Sequence, residues 1–162
     1  MSEPSSPSAR RIQAALAARG AAFTVIELPA SARTAADAAG ALGCAVAQIA
    51  KSIVFRSVDD DSALLVIASG VNRIDERRVE AIIGRPITKA DAAYVRATTG
   101  FAIGGIPPLG HTIELQTLVD RDLLGHAEIW AAAGTPHAVF KLDPESLVAL
   151  TRATIATIAQ EA

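Results

Sequence analysis

Lys51-Ser52-Ile53-Val54-Phe55-Arg56-Ser57-Val58, then Asp59-Asp60-Asp61, then Ser62-Ala63-Leu64-Leu65-Val66-Ile67-Ala68-Ser69 is the stretch that decides the fold. Two runs rich in Ile, Val and Leu, joined by three consecutive acids that belong in water, predict a β-hairpin. Downstream the period turns helical. Asp75 is placed to cap a helix carrying Val79, Ile82 and Ile83 on one stripe, with Gly84 and Pro86 as its stop, and a further helix is expected over residues 91–98. Upstream, Ser8 is placed to cap a helix with Ile12, Ala15 and Leu16 on one face and Gly20 at its left-handed end. A short strand over residues 23–28 and a helix over residues 34–42 come next. The helix has the small face Ala35, Ala38, Ala39 and Leu42, and Gly43 ends it. Residues 101–103, 113–115, 128–131 and 138–142 are the remaining strand candidates, and a last helix runs over residues 144–151 from an Asp143 cap. Hairpins and irregular connections without a βαβ series predict an α+β (mixed α/β) domain.

The chain has 162 residues, 51% of them hydrophobic, enough for one buried core and too few for two ordinary domains. The Ser/Pro-rich residues 1–7 are expected to form a disordered tail ahead of a single domain over residues 8–162. A net charge of −2 and a pI near 5.9 advertise no broad basic face, so duplex DNA is not an expected partner. The mean hydropathy is +0.34, yet apolar runs such as residues 63–68 fall far short of the roughly 20 residues a membrane span needs. With no apolar leader and a lone Cys44, a reducing cytoplasm is the expected location. His111, His126 and His137 stand too far apart for a zinc site, so no metal is expected, and the motifs of hydrolase-fold, NTPase and dinucleotide-binding proteins do not occur.

The residues that could carry chemistry are few. In Gly100-Phe101-Ala102-Ile103-Gly104-Gly105-Ile106-Pro107-Pro108-Leu109-Gly110-His111, glycines let backbone approach a ligand and turn N–H groups toward an oxygen, while Pro107 and Pro108 stiffen the second half of the loop. Two readings fit: an oxyanion or phosphate cradle, or a wide turn between strands. Three of the 15 basic residues are lysines, and Lys51 alone opens a core strand, where it could bind a phosphate or polarise a carbonyl. A lysine snorkelling from a strand end is the commoner arrangement. His137, after Ala133-Gly134-Thr135-Pro136, either faces a pocket or sits exposed on a turn. His111 could orient the glycine loop, His126 reads as surface, and Cys44 reads as an inert thiol. Arg10, Arg11, Arg77 and Arg78 are helix-face charges whose ordinary role is solvation.

Taken together, Ile49-Ala50-Lys51-Ser52-Ile53-Val54-Phe55, Gly104-Gly105-Ile106-Pro107-Pro108-Leu109-Gly110 and Ala133-Gly134 with the nearby His137 resemble the YbaK/EbsC family of free-standing editing proteins and prolyl-tRNA synthetase editing domains. The resemblance runs from about Ser8 to near the C-terminus. It implies a compact domain with a mixed, partly barrel-like sheet flanked by helices. The implied activity is hydrolysis of a small, wrongly attached amino acid (Ala, Cys, Ser or similar) from tRNA, commonly tRNA for proline, without metal or other cofactor. The implied partners are the acceptor end of mischarged tRNA and a prolyl-tRNA synthetase. Lys51 matches the family's essential lysine, and Gly104 with Pro108 its G-x-x-x-P loop; Gly105, Gly110, Gly134 and His137 are the further substrate-binding positions. Pro107 stands where Ser or Thr is frequent, which bears on the fine shape of the pocket. An aminoacyl ester is already activated, so Lys51 and backbone N–H groups at Gly104 and Gly105 could suffice without a Ser or Cys nucleophile. A non-catalytic binder of aminoacyl-tRNA or nucleotide, and a small-molecule ester hydrolase, are the alternatives. Contact with only the single-stranded acceptor end reconciles tRNA binding with an acidic pI.

Overall fold

The computed structural model of the chain describes residues 3–161. Among the described residues, five α-helices and eight strands follow the order α1 (Pro7–Ala18), β1 (Val25–Glu27), α2 (Ala35–Leu42), β2 (Ile49–Ser57), β3 (Ala63–Ser69), α3 (Glu76–Ile83), β4 (Ile87–Lys89), α4 (Ala92–Thr99), β5 (Gln116–Asp120), β6 (Ile129–Ala132), β7 (Ala138–Leu142), α5 (Pro144–Thr151) and β8 (Thr154–Ala156). Local chemistry sets most helix ends. Thr34, Asp75, Asp91 and Asp143 accept hydrogen bonds from the first-turn N–H groups of α2, α3, α4 and α5. Gly43, Gly84 and Gly100 close α2, α3 and α4 in the left-handed region.

The first helix differs from expectation. Ser6, not Ser8, is its cap, because Pro7 fills the first helical position, where no N–H is needed. Ser5 and Ser6, within the stretch expected to be a free tail, donate hydrogen bonds to the Glu27 carboxylate. The tail's first two residues, Met1 and Ser2, lie outside the described residues.

All eight strands belong to one mixed sheet with the order β1-β7-β6-β2-β3-β5-β8, and β4 pairs with β2 off this path. The expected hairpin is its centre: β2 and β3 run antiparallel with Lys51 opposite Ala68 and Phe55 opposite Leu64. Every residue of β3 is buried, which explains its continuous apolar sequence. Leu65 and Ile67 pack on one face with Ile12 and Leu16 of α1 and Leu147 of α5. Leu64, Val66 and Ala68 pack on the other with Val79 of α3. Helices therefore flank both faces, and burying each of these large side chains is worth about 1.5–3 kcal/mol. Ile82, expected in the α3 stripe, is instead 42% exposed, since Val79 and Ile83 already meet the core.

Two expected strands do not form. Residues 101–103 are a turn whose Phe101 ring is buried in the core while the Thr99 hydroxyl ties down the Phe101 N–H at 3.0 Å. Instead of residues 113–115, it is Gln116–Asp120 that pairs with β3, from Leu64↔Gln116 to Ile67↔Val119, leaving Ile113 half exposed. No helix among the described residues is long and apolar enough to cross a membrane.

Candidate active site

The site begins with a gap in the sheet. On the edge of β2 away from β3, β6 pairs only with Ile49 and Ala50, and β4 pairs only with Phe55, Arg56 and Ser57. Residues 51–54 have no ladder partner on that edge, and two cavities open along them. One, of about 400 Å³, is walled by apolar side chains including Ala35, Ala38, Ile49, Trp130 and Val139, with Arg33 and Gly104 at its margin. The other, of about 490 Å³, runs past Ile53 and Val95 toward Arg73, Glu76 and Lys89. Lys51 and Ser52 line both.

Lys51 is held from behind. Its ammonium donates to the Asn72 carbonyl at 2.7 Å and to the Gly70 carbonyl at 3.5 Å, which leaves one of its three N–H groups for a ligand. Burial pushes its pKa below the usual lysine value; the nearby Asp120 carboxylate opposes that fall, and the Arg73 charge adds to it. Asp120 is itself buried, accepting from the Ser69 N–H at 3.0 Å and the Asn72 side-chain amide at 2.8 Å. The Ser52 hydroxyl is buried with no hydrogen-bond partner among the described residues, so it is a donor available to whatever fills the cavities.

The glycine loop is shaped by close approach. Gly104 has φ +98°, and a Cβ there would meet the Arg33 side chain at 2.7 Å. Gly105 lies against the turn before β7, where a Cβ would be 2.6 Å from the Thr135 backbone. Gly134 donates its N–H to the Gly105 carbonyl at 3.0 Å, so the two glycines pin the loop to that turn. One expectation changes here. The Gly105 N–H is taken by the Ala102 carbonyl at 3.2 Å, whereas the Gly104 N–H meets no protein acceptor among the described residues. Of the two glycines, it is thus Gly104 that is placed to offer a backbone donor, next to the cavity that Lys51 lines. His111 orients the far end of the loop: its Nε2 donates to the Pro107 carbonyl at 2.7 Å, and burial pushes its pKa down.

The fold brings Lys51 and Gly104 to one cavity and joins Gly105 to Gly134 beside it. Pro108 and Gly110 do not reach it. They line a separate cavity with Arg19, His111 and Arg152, and Arg11 donates to the Gly110 carbonyl at 2.9 Å. His137 is exposed and lines neither Lys51 cavity; its backbone carbonyl receives the Leu28 N–H. Cys44 sits beside α2 with its thiol pKa raised by burial, in keeping with an inert role. Among the described residues no three His, Cys, Asp or Glu side chains gather as a metal would need. Arg33, Ser52, Asn72, Arg73 and Asp120 are contributors that the sequence did not single out. Only Ser52, adjacent to Lys51 in an apolar strand, carried a local signal, as a small polar side chain inside a core run.

A family model for the aminoacyl-tRNA editing domain matches residues 29–150. The uncharacterized protein YwhH of Bacillus subtilis (strain 168) is 28% identical over 123 residues, which span 76% of this chain and 78% of YwhH. A solved structure described as a "putative trans-editing enzyme for prolyl tRNA synthetase" is 48% identical, with a TM-score of 0.92 over 98% of this chain and 100% of its own. That of the hypothetical protein APE2540 is 26% identical, with a TM-score of 0.86 over 93% of this chain and 99% of its own.

Proposed function

The chain belongs to the aminoacyl-tRNA editing domain family, and from that premise we propose that it hydrolyses the ester of a small, wrongly attached amino acid on tRNA. The observation that carries this reading is the meeting of Lys51 and Gly104 at one apolar-walled cavity of about 400 Å³. Alanine, cysteine and serine are the amino acids proposed. tRNA for proline is the proposed carrier, supported by the description of the 48% identical relative, with a prolyl-tRNA synthetase as the associated enzyme.

The chemistry needs no nucleophilic side chain. Water adds to the ester carbonyl carbon, the carbonyl oxygen takes up negative charge, and the bond to the ribose oxygen then breaks. The remaining Lys51 N–H and the Gly104 N–H are the donors proposed for that oxygen. Because they are fixed by the sheet and the pinned loop, little reorganisation is required as charge develops. The attacking water loses a proton, the departing ribose oxygen gains one, and the neighbouring ribose hydroxyl is suited to relay it. Lys51 serves as donor and not as base, since its ammonium is already bound to carbonyl oxygens. Discrimination rests on volume: one methylene is worth only about 1–3 kcal/mol in an apolar pocket, so selection against proline must come from wall shape.

The test is deacylation of tRNA for proline carrying alanyl, cysteinyl, seryl or 2-aminobutyryl groups, comparing the protein with Lys51→Ala. Selective hydrolysis lost in the variant is the expected result. Binding of charged tRNA without turnover would favour a non-catalytic role, and hydrolysis of free aminoacyl esters alone would favour a small-molecule hydrolase.

A further inference from the structure

The two cavities that meet at Lys51 differ in charge. In the apolar one the only other charged lining side chain is Arg33, whose stem lies against Gly104. The second is bounded by Arg73 and Lys89, with Glu76 as its single carboxylate. With Lys51 its lining carries three positive charges against one negative, on a chain whose net charge is −2. Neither Arg73 nor Lys89 is in an ion pair among the described residues, and both are exposed. Arg56 and Arg78, by contrast, are spent on Asp61 and on Asp75 and Glu161.

These cations are held in place by the fold. The Arg73 backbone carbonyl accepts the Gln160 N–H at 2.8 Å, and Ile74 is bridged to Ala159, so the C-terminal segment fixes the Arg73 turn. Lys89 sits opposite Phe55 in the β2–β4 ladder. Lys51 and Phe55 are four positions apart on β2, so the cationic tract spans about 13 Å at a strand's rise per residue. A tract of that length with charges at both ends fits an extended polyanion better than a single small anion, whose charge would be met by one or two cations.

Resting on the reading of the chain as a deacylase, we propose that this second cavity binds phosphodiesters of the single-stranded 3′ end of tRNA through Arg73 and Lys89, while the apolar cavity takes the amino acid. Lys51 stands at the junction, where the ester between the two parts must lie. The arrangement explains how an acidic protein engages RNA: a short local tract replaces a broad basic face.

The test measures binding apart from turnover. A fluorescent, uncharged single-stranded oligoribonucleotide ending in CCA is titrated into the full chain and into Arg73→Ala, Arg73→Lys, Lys89→Ala and Arg10→Ala. Arg10, exposed on α1, lines neither cavity. The slope of log affinity against log salt should fall by about 0.7 for each phosphate contact removed, so each alanine variant at the tract should lose roughly 2.6-fold less affinity than wild type over a fourfold rise in salt. Arg73→Lys should keep the wild-type slope, and Arg10→Ala should leave it unchanged. Unchanged slopes in both Arg73→Ala and Lys89→Ala would overturn the proposal, as would competition by inorganic phosphate as effective as that by the oligonucleotide, which would mark a simple anion site. Loss of binding in these variants in a protein without deacylase activity would uphold the tract and overturn the proposed reaction. Deacylation with unaltered KM in the variants would do the reverse.

Discussion

Lys51 and Asp120 are joined through Asn72 without forming an ion pair: the Asn72 carbonyl takes the lysine's hydrogen at 2.7 Å, and its side-chain amide gives one to Asp120 at 2.8 Å. The carboxylate thereby favours the charged lysine while leaving its outward N–H unspent. A direct pair would have consumed that donor.

Removing the lysine's amine should therefore disable the reaction without unfolding the protein. Lys51→Ala is expected to lower kcat by at least about a hundredfold, the usual cost of deleting an oxyanion donor. Single-turnover deacylation of mischarged tRNA, with thermal denaturation of both proteins alongside, reads both halves. Near wild-type kcat in a folded variant would exclude Lys51 from the chemistry.

Neutralising the carboxylate should act at a distance. In Asp120→Asn the lysine loses the charge that counters its burial, so it deprotonates at lower pH, and the alkaline limb of the pH–rate profile moves to lower pH. The variant should also lose about 1–3 kcal/mol of stability, because Asp120 accepts from Ser69, Asn72 and Asp122, and an amide presents an N–H to one of these donors. An unshifted profile would disconnect Asp120 from Lys51.

The two adjacent glycines should respond differently to a methyl group. In Gly105→Ala the new Cβ faces Thr135 backbone at 2.6 Å, which cannot yield cheaply, and a loss of about 1–3 kcal/mol is expected. Gly104→Ala meets the movable Arg33 side chain instead, and its cost is that of φ +98°. Urea denaturation should rank Gly105→Ala as the more damaging, with Gly104→Ala distinguished by a defect in kcat.

Acid should weaken the glycine loop's anchor. His111 is neutral in its buried place, with a folded pKa below the unfolded value of about 6.5, so the unfolded chain binds the extra proton first. The stability it contributes is present above pH 6.5 and declines as the pH falls through the folded pKa. His111→Gln keeps a donor for the Pro107 carbonyl and cannot titrate, so its denaturation midpoint should fall less than that of the wild type as the buffer is taken from about one pH unit above the unfolded pKa to about one below it. Parallel curves would refute the assignment.

How far the sequence could be read depended on the range of the forces involved. The caps at Asp75 and Asp143 and the stops at Gly43 and Gly84 are local hydrogen-bond and backbone chemistry, and they were legible, whereas Thr34 and Asp91, read as first helical residues, prove to be caps. So was the β2–β3 hairpin, whose turn announces itself in three acids. Strands β4, β5 and β8 were not, because residues such as Gln116, Thr117 and Thr154 become strand only by pairing with distant segments. Ile113, apolar yet half exposed, drew the expected strand toward the wrong residues. The site divides the same way. Lys51 and the Gly104 loop stood out by residue type and took their roles from resemblance to a family, but Asn72 and Asp120 acquire meaning only when β3 and β5 lie side by side, and Arg73 only when residues 159 and 160 meet its turn. The placing of Pro108 and Gly110 on another cavity was likewise beyond local reading.

The parallel pairing of β3 with β5 and of β5 with β8 sets an order of assembly. A ribosome delivers Lys51 and its hairpin early, but Asp120 arrives some seventy positions later, and the turn bearing Arg73 is secured only by Ala159 and Gln160. Until those residues emerge, the nascent chain carries its key lysine in an unfinished pocket.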